Sequence, residues 1–275
     1  MEIEHGPLFH FNGCLFHFST LSISCTHYYI NQKSKQMKTQ ISFILLSVLF
    51  IFSSCDYEKI YAEGEVTSIK YDINDYNGLR VSDAFHVYVL FSESEEEIRI
   101  AANNNLHEKI VVKKDGDELI IRLKDRTSVN GKAVMNAYIT TKNLSKFNID
   151  GASRLILENQ WEVQDGKITI SGASDFKGEL LADRLQMNLE GASSVDLFGS
   201  ISSLEAEISG SSDLLDYDLN ISNLDINLYG ASTAFLSVNE SISIKASGAS
   251  VLNYKGDATI QESELSGSSS IIKKD

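Results

Sequence analysis

The tripeptide Gly-Ala/Ser-Ser recurs seven times in the second half of this chain, starting at Gly151, Gly172, Gly191, Gly210, Gly230, Gly248 and Gly267. The intervals are 21, 19, 19, 20, 18 and 19 residues. Self-similarity at a fixed period marks a repeat architecture, in which each copy buries its apolar side against the next. The flanks keep the same phase. Two residues before each glycine stand Ile149, Ile170, Leu189, Ile208, Leu228, Ala246 and Leu265, all apolar, and the residue before each of those is polar. Four residues after each glycine stand Leu155, Phe176, Val195, Leu214, Ala234, Leu252 and Ile271. Alternation locked to the repeat predicts strands. A strand of about 5–6 residues on each side of the glycine plus a turn fills one coil, whereas α-solenoid repeats need about 33–47 residues. The expected fold is all-β: a parallel β-helix or β-solenoid of about 19-residue coils over 151–275, with like residues stacked in columns.

Two geometries for the motif remain open from sequence. If period 2 runs straight through it, the glycine and the last serine face the apolar side, and Ser153, Ser174, Ser193, Ser212, Ser232, Ser250 and Ser269 form an inner column that passes hydroxyl hydrogen bonds from rung to rung. If a bulge intervenes, those serines face water. A catalytic reading of Gly-x-Ser fails: a nucleophile elbow needs Gly-x-Ser-x-Gly at a strand-to-helix turn with a histidine and an acid. Seven equivalent serines cannot all be nucleophiles, and beyond residue 36 the only histidines are His86 and His107. The acids expected to face outward near the motif are Asp150, Asp175, Glu190 and Asp213, and they form the candidate ligand face. Asp175 and Asp213 share a slot two coils apart with Ser194 between them, roughly 10 Å at the strand spacing. An inverting glycosidase pair, with carboxylates about 6.5–9.5 Å apart, only just reaches such a spacing. The plainer reading is a solvated acidic surface.

Ahead of the repeat, residues 68–150 alternate with period 2 in short runs separated by Asn77-Gly78, Asp115-Gly116 and Asn130-Gly131, which predicts a β-rich N-terminal portion. Asp115-Gly116 between 110–114 and 119–123 predicts a hairpin with a type I′ turn, and 105–109 is the one helix candidate. Residues 72–78 resemble a calcium loop, but their ligand spacing is wrong and no Glu closes it.

The N-terminus reads as targeting. Met37-Lys38-Thr39-Gln40, the apolar run 41–52 and Ser53-Ser54-Cys55 have the order of a secretory signal, and the apolar run is shorter than the roughly 20 residues of a membrane span. Cys55 after two serines resembles a bacterial lipobox, with Phe52 where an aliphatic is usual. The expectation is a lipoprotein signal over 37–54, lipidation at Cys55, a tether over 55–67, and an over-extended start over 1–36. The segment 1–36 holds Cys14 and Cys25 without the paired spacing of a metal site. No cofactor or metal is expected. From Cys55 on, 21 Lys and Arg face 36 Asp and Glu. That acidic balance argues against nucleic acid, whose binding depends on cations that neutralise phosphates.

The stretch Leu79-Arg80-Val81-Ser82-Asp83-Ala84-Phe85-His86-Val87-Tyr88-Val89, then Asn103-Asn104-Asn105-Leu106 and Asp117-Glu118-Leu119-Ile120-Ile121, followed by the Gly-Ala-Ser ladder, resembles the DUF2807 family, the "putative auto-transporter adhesin, head GIN domain". The resemblance spans roughly 78–260 and makes 68–275 one continuous unit. It implies a β-helix-like fold in the envelope of a Gram-negative bacterium, lipid-anchored at the outer membrane on its surface or periplasmic side, and it carries no catalytic residues. The function expected is a non-catalytic adhesin or binding module for a glycan or protein. A structural envelope-assembly protein is the alternative, and a carbohydrate-active enzyme comes third.

Overall fold

Polar-apolar alternation on both sides of each repeat glycine gives strands with one dry face, and such strands stack in parallel when each coil is the same length as the last. The computed structural model describes Tyr57–Asp275. The expected over-extended start, the signal and Cys55 lie outside the described residues. Across 151–275 the parallel β-solenoid is as expected. Ile149 lies beside Ile170, Ile170 beside Leu189, Leu189 beside Ile208 and Ile208 beside Leu228, and the register shifts after Ile221 and after Ile242. Past the corner a second ladder runs through Arg154, Asp175, Ser194, Asp213, Thr233, Val251 and Ser270. A third ladder sets Trp161 beside Leu180, Leu180 beside Gly199 and Gly199 beside Leu219.

The stack begins before the first glycine motif. Gly78–Val81 pairs in parallel with Lys146–Ile149 on one side and with Glu118–Leu123 on the other. His86–Phe91 lies between Arg154–Leu157 and Met135–Thr141. There the ladder direction changes. Met135–Thr141 is antiparallel to Glu97–Asn103, which is antiparallel to Val66–Tyr71, and Ile110–Asp115 folds antiparallel onto Glu118–Leu123. This antiparallel layer, with the 3₁₀ turn Asn104–Lys109 that buries Leu106, closes the end of the coil where the chain enters.

Three local expectations are corrected. The segment expected to be a tether, 55–67, contains a strand: Glu58–Tyr61 pairs in parallel with Thr127–Asn130, and Val66 opens the next strand. Its four residues, Glu58-Lys59-Ile60-Tyr61, show no period-2 alternation, so the strand does not stand out from a polar linker. The hairpin after Ile110 forms, but its loop is Gly116-Asp117, because Asp115 pairs with Glu118. Only Gly116 has positive φ (62°), the pattern of a type II′ turn instead of I′. The helix candidate is a 3₁₀ segment.

One continuous core runs the length of the unit. Trp161 and Phe147, Phe147 and Phe176 meet edge to face at 4.9 and 5.2 Å, and the Trp161 indole N–H donates to the Leu144 carbonyl at 2.7 Å, so the largest buried side chain leaves no polar atom unpaired.

Candidate functional site

The repeat motif is the corner of each coil. All seven repeat glycines have φ between 71° and 86°, the left-handed region that a β-carbon disfavours. They also stack directly on one another. A β-carbon at Gly230 would stand 2.6 Å from the Gly210 carbonyl oxygen, and one at Gly267 would stand 2.7 Å from that of Gly248. The same carbonyls hold the ladder together through the corner: the N–H of Ala173, Ala192, Ser211, Ala231, Ala249 and Ser268 each donates to the preceding glycine's oxygen at 2.7–2.8 Å.

Of the two geometries open from sequence, the serines face inward, though period 2 does not run straight through the motif. Ser153, Ser174, Ser193, Ser212, Ser232 and Ser250 are buried, and Ser269, in the last rung, is half-buried. Their hydroxyls do not chain to one another. Each of Ser153, Ser193, Ser232, Ser250 and Ser269 donates to the carbonyl three residues back, at 2.7–3.2 Å. The Ser174 and Ser212 hydroxyls accept the N–H of the serine one rung earlier, Ser153 and Ser193, at 3.3 and 3.2 Å. A left-handed corner turns backbone groups out of the ladder, and the serine satisfies them. The column is structural chemistry.

An eighth corner was hidden in the sequence. Asp83 has φ 74°, its carbonyl accepts the Ala152 N–H, and Phe85 takes the serine slot with no exposure. The Phe85 N–H donates to the Ser153 hydroxyl at 3.3 Å. Asp83 is tolerated there because the regular corner stack ends at this rung: its own carboxylate accepts the N–H of Leu123 at 2.7 Å. The signal was Val81-x-Asp83-Ala84 in the phase of Ile149-x-Gly151-Ala152, but 68 residues separate the corners, because the antiparallel layer is inserted between them.

The four candidate acids fall in two outer columns flanking the corner. Asp150 and Glu190 precede their glycines with Ser171 between them; Asp175 and Asp213 follow theirs with Ser194 between them. No hydrogen bond or ion pair joins the two columns among the described residues. Asp175 is held by the Arg154 guanidinium at 2.8 and 3.0 Å. Asp150 accepts the Gly151 N–H at 2.6 Å and the Ser171 hydroxyl at 2.9 Å. It lines a shallow groove of about 320 Å³ with Arg80, Ser82, Asn148, Thr169 and Ser171. Arg80 is ion-paired at 2.6 Å to Glu118, a largely buried carboxylate that also pairs with Lys146 and accepts from Asn148 at 3.0 Å. The groove floor is therefore pre-ordered, and its walls are hydroxyl, amide, guanidinium and carboxylate groups. No group of three or more His, Cys, Asp or Glu among the described residues is placed to hold a metal.

Solved structures share this fold. An adhesin described as putative from Bacteroides fragilis matches 78% of this chain and all of its own length with a TM-score of 0.72 at 18% identity. One from Parabacteroides merdae matches 79% and its full length with a TM-score of 0.64 at 15% identity. A "putative lipid binding protein" from Parabacteroides distasonis matches 79% and its full length with a TM-score of 0.67 at 17% identity. Among curated proteins nothing matches significantly. The family model "putative auto-transporter adhesin, head GIN domain" matches residues 75–258, from the strand before the Asp83 corner to the coil before the last, and the chain belongs to that family, DUF2807.

Proposed function

We propose that this protein is a non-catalytic binding module of the cell envelope, lipid-anchored through Cys55, that holds a glycan or protein on the outer face of its solenoid. The observation that carries the reading is the groove around Asp150. It combines a fixed cation (Arg80), a fixed anion (Asp150) and the neutral hydrogen-bonding groups of Ser82, Asn148, Thr169 and Ser171 on rigid rungs about 4.8 Å apart. A hydroxyl-rich chain or an extended peptide is bound by such rows, since pre-ordered donors and acceptors lose little entropy on binding. Its size lies at the low end for ligand sites, which suits one or two units of a polymer. The adhesin label of the family points the same way.

The carbohydrate-active alternative draws less support. Both Arg154 donors meet a single oxygen of Asp175, Oδ2, so the carboxylate serves an ion pair along its own column of the solenoid.

The test is an array of glycans and envelope or matrix proteins probed with residues 57–275, alongside protease shaving and surface labelling of intact cells. The expected result is a ligand whose affinity drops about tenfold or more in Arg80→Ala and Asp150→Ala, the loss typical of a binding hot spot, and little in Asp175→Asn. Absence of any ligand together with negative surface labelling refutes the binding role. Metabolic labelling with palmitate, lost in Cys55→Ser, tests the anchor separately.

A further inference from the structure

From Cys55 on the chain is acidic, with 21 Lys and Arg against 36 Asp and Glu, but one groove of its outer surface reverses that balance. The groove, of about 370 Å³, runs across the rungs between two outward rows of side chains. One row is Asp165, Arg184 and Ser203; the other is Lys167, Gln186 and Glu205, each residue beside the next in parallel register. Gly166 and Leu185, between the rows, form the floor. Ser145 and Lys146 close one end, where Lys146 lies directly beside Lys167.

Two lysines side by side on neighbouring strands repel each other, and only one of them is neutralised. Lys146 pairs with the largely buried Glu118, which also holds Arg80. Gly78 makes room for that carboxylate, since a β-carbon there would stand 3.0 Å from the Glu118 Cγ. The Lys167 ammonium has no ion pair or hydrogen bond among the described residues. On the opposite wall, one rung further, Arg184 gives only its Nε to Asp165. Its two terminal nitrogens donate to nothing among the described residues. An unmatched ammonium and the open fork of a guanidinium therefore border the same groove.

We propose that this groove binds the carboxylate of an acidic saccharide, a uronic acid unit of a polymer. A carboxylate is planar and singly charged, so it matches the guanidinium fork in shape and the one unmatched ammonium in charge. The remaining walls suit hydroxyls and oppose further negative charge. Ser145, Ser203 and Gln186 supply neutral donors and acceptors, and Glu205 accepts hydroxyl protons while repelling a second anion. A phosphate dianion or a polyacidic peptide meets that repulsion. A peptide also finds no edge for strand addition, because Asp175–Leu189 and Ser194–Ile208 are paired on both sides. The volume has room for one or two sugar rings. None of these lining residues borders the Asp150 groove, so this is a second site.

Titration calorimetry of residues 57–275, which carry the continuous core, with trimers of galacturonate, glucuronate and mannuronate tests the assignment. At least one trimer is expected to bind saturably, and its neutral methyl ester at least about tenfold more weakly, because the charge-assisted contacts go with the charge. Lys167→Met and Arg184→Gln are each expected to weaken binding about tenfold or more. Asp165→Asn removes the competing carboxylate from Arg184 and is expected to tighten binding about threefold, a gain that a merely structural residue does not give. Asp150→Ala is expected to change it less than about twofold, as distant sites act independently. Lys167, Arg184 and Asp165 are exposed, so folding, followed by circular dichroism, is unchanged. Absence of saturable binding to every trimer up to about 10 mM overturns the proposal. So does an ester that binds as tightly as its acid, an unchanged affinity in both cation variants, or a weaker Asp165→Asn. Inorganic phosphate or triglutamate competing as well as the best trimer overturns the saccharide assignment. A loss in Asp150→Ala as large as in Lys167→Met places the ligand in the other groove and overturns this site.

Discussion

Replacing Gly230 by alanine tests the corner argument directly. Two costs act there. The left-handed φ of 76° costs a residue with a β-carbon about 1–2 kcal/mol. The β-carbon also lands 2.6 Å from the Gly210 oxygen, about 0.8 Å inside ordinary contact, and that oxygen is the acceptor of the Ala231 N–H at 2.8 Å. Relief of the overlap moves the carbonyl off its donor and weakens one ladder bond, worth about 0.5–1.5 kcal/mol net. The expected destabilisation is therefore about 1.5–3.5 kcal/mol. Gly116→Ala is the control: its φ is 62°, yet a β-carbon there meets nothing within 4 Å, so only the conformational cost of about 1–2 kcal/mol applies. Gly230→Asn separates the two causes, because asparagine accepts left-handed backbone but still carries a β-carbon. Urea unfolding reads all three as midpoint shifts at constant slope. The reasoning fails if Gly230→Ala costs no more than Gly116→Ala, or if Gly230→Asn matches wild type, since either result leaves the close approach without effect.

Further expectations concern single hydrogen bonds and one phenol. Ser193→Ala removes the buried donor to the Glu190 carbonyl (2.9 Å) and should destabilise by about 1–3 kcal/mol in the same urea assay, the cost of an unsatisfied buried group; a neutral result would mean water replaces it. Asp83→Ala deletes the acceptor of the Leu123 N–H and places alanine at φ 74°, so a loss of about 2–4 kcal/mol is expected, with amide exchange of Leu123 rising first. Burial holds the Tyr76 phenol above its usual range, with Glu96 adding to the rise and the Thr141 hydrogen bond opposing it. The neutral form is the one the fold favours. Its contribution is complete below pH of about 10 and declines as pH rises through the elevated value, so Tyr76→Phe should flatten the alkaline fall in stability; an unchanged profile would assign that fall to other groups.

The coil was legible because its physics is local and repeated. A β-carbon is excluded at each corner by the corner before it, so glycine returns every coil, and one dry face per strand enforces alternation in the same phase. The Asp83 corner obeys the same rule but lies where the stack ends, and there its carboxylate replaces the missing neighbour; a search for glycine passes over it. The strand Glu58–Tyr61 was read as tether because its four residues pair only with Thr127–Asn130, a partner some 70 positions away that no local pattern announces. At the candidate site, the column membership of Asp175 and Asp213 followed from spacing alone. That Arg154 would hold Asp175, and that Arg80 and Ser82 would join Asp150 across the inserted cap, depended on register between distant rungs.

The sequence by itself determined the coil length, the inward and outward faces of each strand and the family, since all three are written in short-range periodicity. Only the tertiary structure decided what the serines bond to and where the antiparallel strands cap the stack. Those outcomes turn on which backbone groups lack a ladder partner once the rungs are stacked, a property of neighbours in space and not of neighbours in the chain.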